Sequence, residues 1–192
     1  GLGGPDTRAF LQGLLTQDVA GVTPGQARWA GLLSPQGKCL FTLILFDDGA
    51  GGLLLDVAAD RAAELVRRLM LYRLRARVEI AARPDLSVYA AWDGAPPAAA
   101  YGAPDPRLTA LGWRLLASDL ATSASEADFT GWRLAHGVPE TSDDVGIDSL
   151  LWLETNAVEL NGVDFTKGCY VGQENTARMQ HRGKLRKRLL PV

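Results

Sequence analysis

Cysteine and histidine are scarce in this 192-residue chain, with two of each. Cys39 and Cys169 lie far apart and form no Cys-x-x-Cys pair, which excludes a disulfide scaffold and a metal cluster held by this chain alone. His136 and His181 belong to no H-E-x-x-H motif and to no recognisable Cys–His dyad, so a closed metal site and protease-like chemistry are not expected. Neither G-x-x-x-x-G-K-[ST] nor a strand-following G-x-G-x-x-G occurs, which argues against nucleotide phosphate binding. Long apolar runs are missing too. Leu40 to Phe46 is interrupted by Thr42 and closes at Asp47-Asp48, short of the roughly 18 to 20 residues a membrane helix needs. No secretory or transit pattern opens the sequence, and free thiols fit a reducing compartment, so a cytoplasmic location is expected, with no membrane partner.

What is present is a hydrophobic content of 47%, enough for the core of one ordinary domain or two small ones. The net charge of -2 is unevenly placed, because every acidic residue lies at or before Glu174. Beyond it come Arg178, Arg182, Lys184, Arg186, Lys187 and Arg188, a basic strip on an acidic body. Such a strip serves either as a solvated face or as an anion site, for nucleic acid or a polyanionic cofactor tail.

Asp6 is a good N-cap for a helix whose apolar stripe is Phe10, Leu11, Leu14 and Leu15. Ser34-Pro35-Gln36-Gly37 has the residue order of a tight turn and should join a strand near Arg28 to Leu33 with one from Lys38 to Phe46. Asp47-Asp48-Gly49 turns towards a third strand, Leu53 to Val57. The period then changes to that of a helix capped by Asp60, with Ala62, Val66, Leu69 and Met70 along one face. Alternation returns at Val78 and Ile80, and from Leu86 to Trp92 after a turn at Pro84-Asp85. The order β-β-β-α-β-β with tight turns predicts an α+β fold, an antiparallel sheet with packed helices. Pro- and Ala-rich residues 94–106 read as an exposed connection. They separate a first α+β subdomain, 1–93, from a second, 107–180, with interleaving of the two left open, and the second holds a strand over Leu108 to Leu116 and a helix over Glu126 to His136. Residues 181–192 form the basic end.

The chemistry concentrates in Lys167-Gly168-Cys169-Tyr170-Val171-Gly172-Gln173-Glu174. Cys39, in an apolar strand, reads as a small buried hydrophobe. Cys169 does not, since glycines and polar groups flank it, and Lys167 together with a following helix N-terminus would favour the thiolate. Gln173 and Glu174 would orient the turn. Glu154 sits in the apolar stretch Leu151 to Asn156. It either points to solvent or, in a pocket, accepts two parallel N–H bonds from an amidine-like heterocycle such as the edge of a pterin. Trp152 and Tyr170 are then candidate aromatic walls, and each is equally plausible as core.

The stretch Gly162 to Glu174, followed by Ala177-Arg178-Met179 and His181-Arg182-Gly183, resembles the signature of the YgfZ family of folate-binding proteins, which includes mitochondrial homologues needed for iron–sulfur proteins. Phe10 to Asp18, Ser34 to Lys38, Asp105-Pro106-Arg107 and His136 to Glu140 resemble family positions in the same order. Asp148 to Glu154 is similar to a segment of the glycine cleavage T-protein, an aminomethyltransferase of the same superfamily whose subdomains surround a folate hole. The resemblance implies a T-protein-like fold and binding of tetrahydrofolate or a derivative by Glu154, Trp152, Tyr170, Gln173 and Arg178. It also implies a working thiol at Cys169 supported by Lys167, and iron–sulfur client or assembly proteins as partners. Two features depart from T-protein: its Gly-Tyr-Thr-Gly-Glu segment is replaced by Leu111-Gly112-Trp113-Arg114, and its catalytic Asp has no clean counterpart within Asp56 to Glu64. Aminomethyl transfer is therefore the weaker alternative, and a tRNA-binding module resting on Arg178 to Arg188 a third. Arg186 to Val192 resembles the start of a C-terminal barrel, whose remainder is expected to be missing here, and a strand is expected before Gly1.

Overall fold

Apolar residues on both faces of one strand decide the architecture. The computed structural model describes residues 1–140, 142–182 and 187–190. β1 (Leu2–Gly3) leads into helix α1 (Thr7–Gln12), followed by β2 (Arg28–Leu33), β3 (Cys39–Asp47) and β4 (Leu53–Asp56). Helix α2 (Ala62–Arg73) and β5 (Glu79–Ile80) complete a five-stranded antiparallel sheet of order β2-β3-β4-β1-β5. Along β3, Leu43 and Leu45 pack with Leu11, Leu15, Leu65 and Leu69 beneath α1 and α2. The alternate residues Ile44 and Phe46 face a second cluster with Trp29, Trp152 and Leu116. A strand buried on both faces reads as a continuous apolar run, as Leu40 to Phe46 does.

The second face is covered by a three-stranded antiparallel sheet of β6 (Ser87–Ala91), β7 (Tyr101–Pro104) and β8 (Trp113–Ala117), in the order β6-β8-β7. Helices α3 (Glu126–Ala135), α4 (Ser142–Val145) and α5 (Gln173–Arg182) follow. The α+β class and the first hairpin are as expected, with Gly37 N–H donating to Ser34 O at 2.9 Å across the turn. Four local expectations are corrected. Asp6 caps nothing with its side chain, because its carboxylate is taken by Arg77. Met70 faces out and Leu65 faces in. The strand expected from Leu108 starts at Trp113, since Thr109–Leu111 forms a helical turn ended by Gly112 at positive φ. Residues 94–106 are not only a connection: Tyr101–Pro104 pairs with β8, and the second sheet draws β6 from one side of that stretch and β8 from the other. Pro104 is tolerated because β7 is an edge strand.

Segment 148–152 runs beside the start of β3, with Cys39 N–H donating to Leu150 O and Trp152 N–H to Gly37 O. It seats the Trp152 ring 4.8 Å from that of Trp29. Gly162 closes over the pair: a methyl there would lie 2.6 Å from the Trp29 ring. The Gly162 carbonyl accepts from Trp152 Nε1 at 3.0 Å and from the Thr16 hydroxyl at 2.6 Å. Residues 183–186 and 191–192, which hold parts of the basic strip and of the expected barrel start, lie outside the described residues.

Candidate functional site

The loop between Gly162 and α5 is fastened at both flanks to the end of α1. Gln12 Nε2 donates to Lys167 O at 3.3 Å, and Lys167 Nζ donates to Gln12 O at 2.5 Å and Leu15 O at 2.8 Å. On the other flank Val171 N–H donates to Gly13 O at 3.2 Å. Between these anchors Cys169 is exposed and free. Gly168 and Gly172 both have positive φ, and a Cβ at Gly172 would sit 2.5 Å from Ser34 O, so the loop needs glycine there to seat against the β2–β3 turn. Gln173 opens α5 and its Nε2 donates back to Gly168 O at 3.3 Å.

Lys167 therefore holds the loop in place and is not aimed at the thiol alone. Its ammonium is bonded to two carbonyls and stands 4.9 Å from the centre of the Tyr170 ring. Burial lowers its pKa, while Asp18, Asp164 and Cys169 pull it back up. A carbonyl-bonded ammonium is a positioning group. Cys39 behaves as the sequence suggested: it is buried, and burial pushes its thiol up to about 12.

The side chains expected to hold a pteridine do not converge. Trp152 is fully buried against Trp29 and presents no face to a ligand. Glu154 lies in a helical turn and its Oε2 accepts from Leu151 N–H at 3.0 Å, the local bond of a turn start. Tyr170 is buried in the same core as Trp152, and burial raises its pKa with Thr176 opposing. Arg178 is exposed and pairs with Glu174 one helical turn away at 2.5 Å.

Ligand-sized space exists elsewhere. A cleft of about 1720 Å³ opens between the two sheets, with Trp29, Leu54, Asp60, Trp92, Arg114 and Phe129 among its walls. Its floor is a chain of charges that sequence reasoning did not find. Arg114 Nε donates to Asp56 Oδ2 at 2.7 Å and its Nη2 to Glu140 Oε1 at 2.8 Å. Arg107 joins the same Glu140 at 2.8 Å and Asp105 at 2.7 Å, and Arg133 joins Asp144 at 2.8 Å. Burial alone would raise Glu140, but Arg114 and Arg107 pull it down to about 2. Asp105-Pro106-Arg107 and Glu140 lie in stretches that resemble family positions, with nothing there to mark them as partners. Their contact across 33 residues has no local signature.

No family model matches this sequence. The human mitochondrial iron–sulfur cluster assembly factor IBA57 is 37% identical over 220 aligned positions, covering 98% of this chain and 62% of the human protein. The chain is similar to IBA57 along almost its whole length. Mouse IBA57 is 34% identical with the same coverage, and the Neurospora crassa homologue 32% identical, with 98% of this chain and 50% of that protein covered. The chain thus spans between half and two thirds of these IBA57 relatives. The crystal structure of aminomethyltransferase T of the glycine cleavage system from Bartonella henselae superposes with a TM-score of 0.68 at 13% identity, over 94% of this chain and 60% of that one. The fold is T-protein-like, as the resemblance implied. The relatives' names speak of iron–sulfur assembly and not of folate or tRNA. They also correct the cytoplasmic expectation, because the IBA57 relatives are named as mitochondrial proteins. A scarcity of cysteine marks a reducing compartment without saying which one.

Proposed function

We propose that this chain is part of an iron–sulfur cluster assembly factor and that it presents Cys169 as a ligand to iron held jointly with a partner protein. One observation carries the reading: the exposed thiol stands on a loop clamped at Lys167 and Val171, so an accessible sulfur is displayed at a fixed place. Among the described residues no group of three or more His, Cys, Asp or Glu side chains could hold a metal ion. Further ligands are then drawn from outside the described residues, and the partner or its cargo is the source we propose. In the step itself the Cys169 thiol gives its proton to solvent and its sulfur donates an electron pair to iron, displacing a labile ligand, with no change of oxidation state. Lys167 keeps the loop seated, and the turn into α5 keeps the sulfur clear of the core.

Cells lacking the protein and complemented with Cys169→Ala should lose the activity of cluster-containing enzymes, while Cys39→Ala, a small change in the core, should restore it. Equal rescue by Cys169→Ala sinks the reading.

A reduced folate is the ligand we propose for the cleft between the sheets, supported by its size and its T-protein-like setting. Asp60 is exposed there, has no hydrogen-bond or ion-pair partner among the described residues, and is a carboxylate suited to a pteridine's amino edge, while Trp92 and Phe129, with ring centres 5.4 Å apart, offer aromatic surface. Glu154 and Trp152 are outside that lining. Calorimetric titration with tetrahydrofolate should give binding that Phe129→Ala weakens and Glu154→Gln leaves alone. Absence of heat, or loss on Glu154→Gln, removes the cleft from consideration.

A further inference from the structure

Helix α2 is built with two working faces. Leu65 and Leu69 turn into the core beneath the first sheet. The opposite face carries Arg67, Met70 and Leu71, and the residue ending the helix, Leu74, continues it. Met70 is 44% exposed, Leu71 74% and Leu74 86%, three large apolar side chains within two helical turns. Leu74 is held at φ 44°, a left-handed conformation that favours glycine, and its side chain gains no packing in return. Around this apolar strip stand Arg67, Arg68 and Arg75, none with a hydrogen bond or ion pair among the described residues. Residues 62–77 hold five arginines against one acid, Glu64, and that acid is engaged by Arg61 at 2.8 Å.

We propose that this outer face of α2 docks an acidic amphipathic helix of a partner protein. The chemistry selects the occupant. Free guanidinium forks match carboxylates in bidentate pairs, and Arg67, Met70 and Leu71 stand at the i, i+3, i+4 spacing with which one helix meets another. A second copy of this chain fits badly, since a two-fold pairing would set Arg67 and Arg75 against the same arginines. An anionic bilayer fits badly as well. With the segment at net +4 and the whole chain at -2, the rest of the molecule carries -6 and is repelled by such a surface, and three side chains give little to insert. A partner helix meets only the local charge, because screening acts within about 8 to 10 Å. The surface is independent of Cys169 and of any cluster.

The test uses fluorescence anisotropy with a labelled synthetic helix bearing Glu and Leu at helical spacing, beside its Lys-for-Glu counterpart. The acidic peptide should bind and the basic one should not. Arg67→Glu with Arg75→Glu, and separately Leu71→Ser, should each weaken binding about tenfold or more, with circular dichroism confirming the fold. Leu74→Gly separates docking from stability: it should raise the thermal midpoint of the free protein and weaken peptide binding. No binding of the acidic peptide overturns the proposal. So does an unchanged affinity on charge reversal, co-sedimentation with vesicles of phosphatidylcholine and phosphatidylglycerol in equal parts without peptide binding, or dimerisation through this face in the ultracentrifuge.

Discussion

Arg114 on β8 donates through Nε to Asp56 on β4 at 2.7 Å, and both side chains are buried, so one ion pair ties the second sheet to the first. Glu140 accepts from the same guanidinium and from Arg107, which makes the link a network. Removing one partner from a buried pair leaves a charge uncompensated. Asp56→Ala should cost about 3 to 5 kcal/mol, tempered by the remaining Glu140 contact, and urea denaturation would measure it.

The same network sets an acid limit on stability. Glu140 ionises at about 2 in the folded chain, below its ordinary 4.5. A depressed carboxylate contributes stability that is fully present above the unfolded value and is lost as pH falls through the folded one. Stability should therefore decline between about pH 4.5 and pH 2, and Glu140→Gln should flatten that limb while lowering stability at neutral pH. Urea midpoints measured across that range check both halves of the expectation.

The two thiols should differ sharply in reactivity. Ellman's reagent should find one accessible thiol in the native protein, Cys169, and two after denaturation. Cys39, buried and pushed up to about 12, has almost no thiolate at neutral pH. Fast modification of two thiols under native conditions would contradict this structure.

Lys167→Met should loosen the loop without abolishing thiol reactivity. It removes two bonds from a charged donor, and each such bond is worth about 1.5 to 3 kcal/mol at most. Amide exchange at Val171 should accelerate while Cys169 still alkylates. If Lys167→Met instead slowed alkylation with Val171 protection unchanged, its role would be electrostatic.

Gly162→Ala should be more damaging than its chemistry implies. The added methyl would meet the Trp29 ring at 2.6 Å and the Trp152 ring at 2.9 Å. Overpacking of that kind costs typically about 1 to 3 kcal/mol, and a lowered thermal midpoint with shifted tryptophan fluorescence is the expected result.

The sequence by itself determined the α+β class, the β2–β3 hairpin, the helices α2 and α3, and the contrast between a buried Cys39 and a displayed Cys169. Each of these rests on local information: a period of two or of 3.6 residues, a turn tetrapeptide, or the polarity of immediate neighbours. Only the tertiary structure decided that Lys167 bonds to the end of α1, that Trp152 stacks on Trp29 and so leaves Glu154 without an aromatic wall, and that Arg107, Arg114 and Glu140 meet on the floor of a cleft. Those contacts join residues from 26 to 155 positions apart. Their partners are chosen by packing and desolvation once the sheets close on each other, and no pattern along the chain encodes that choice.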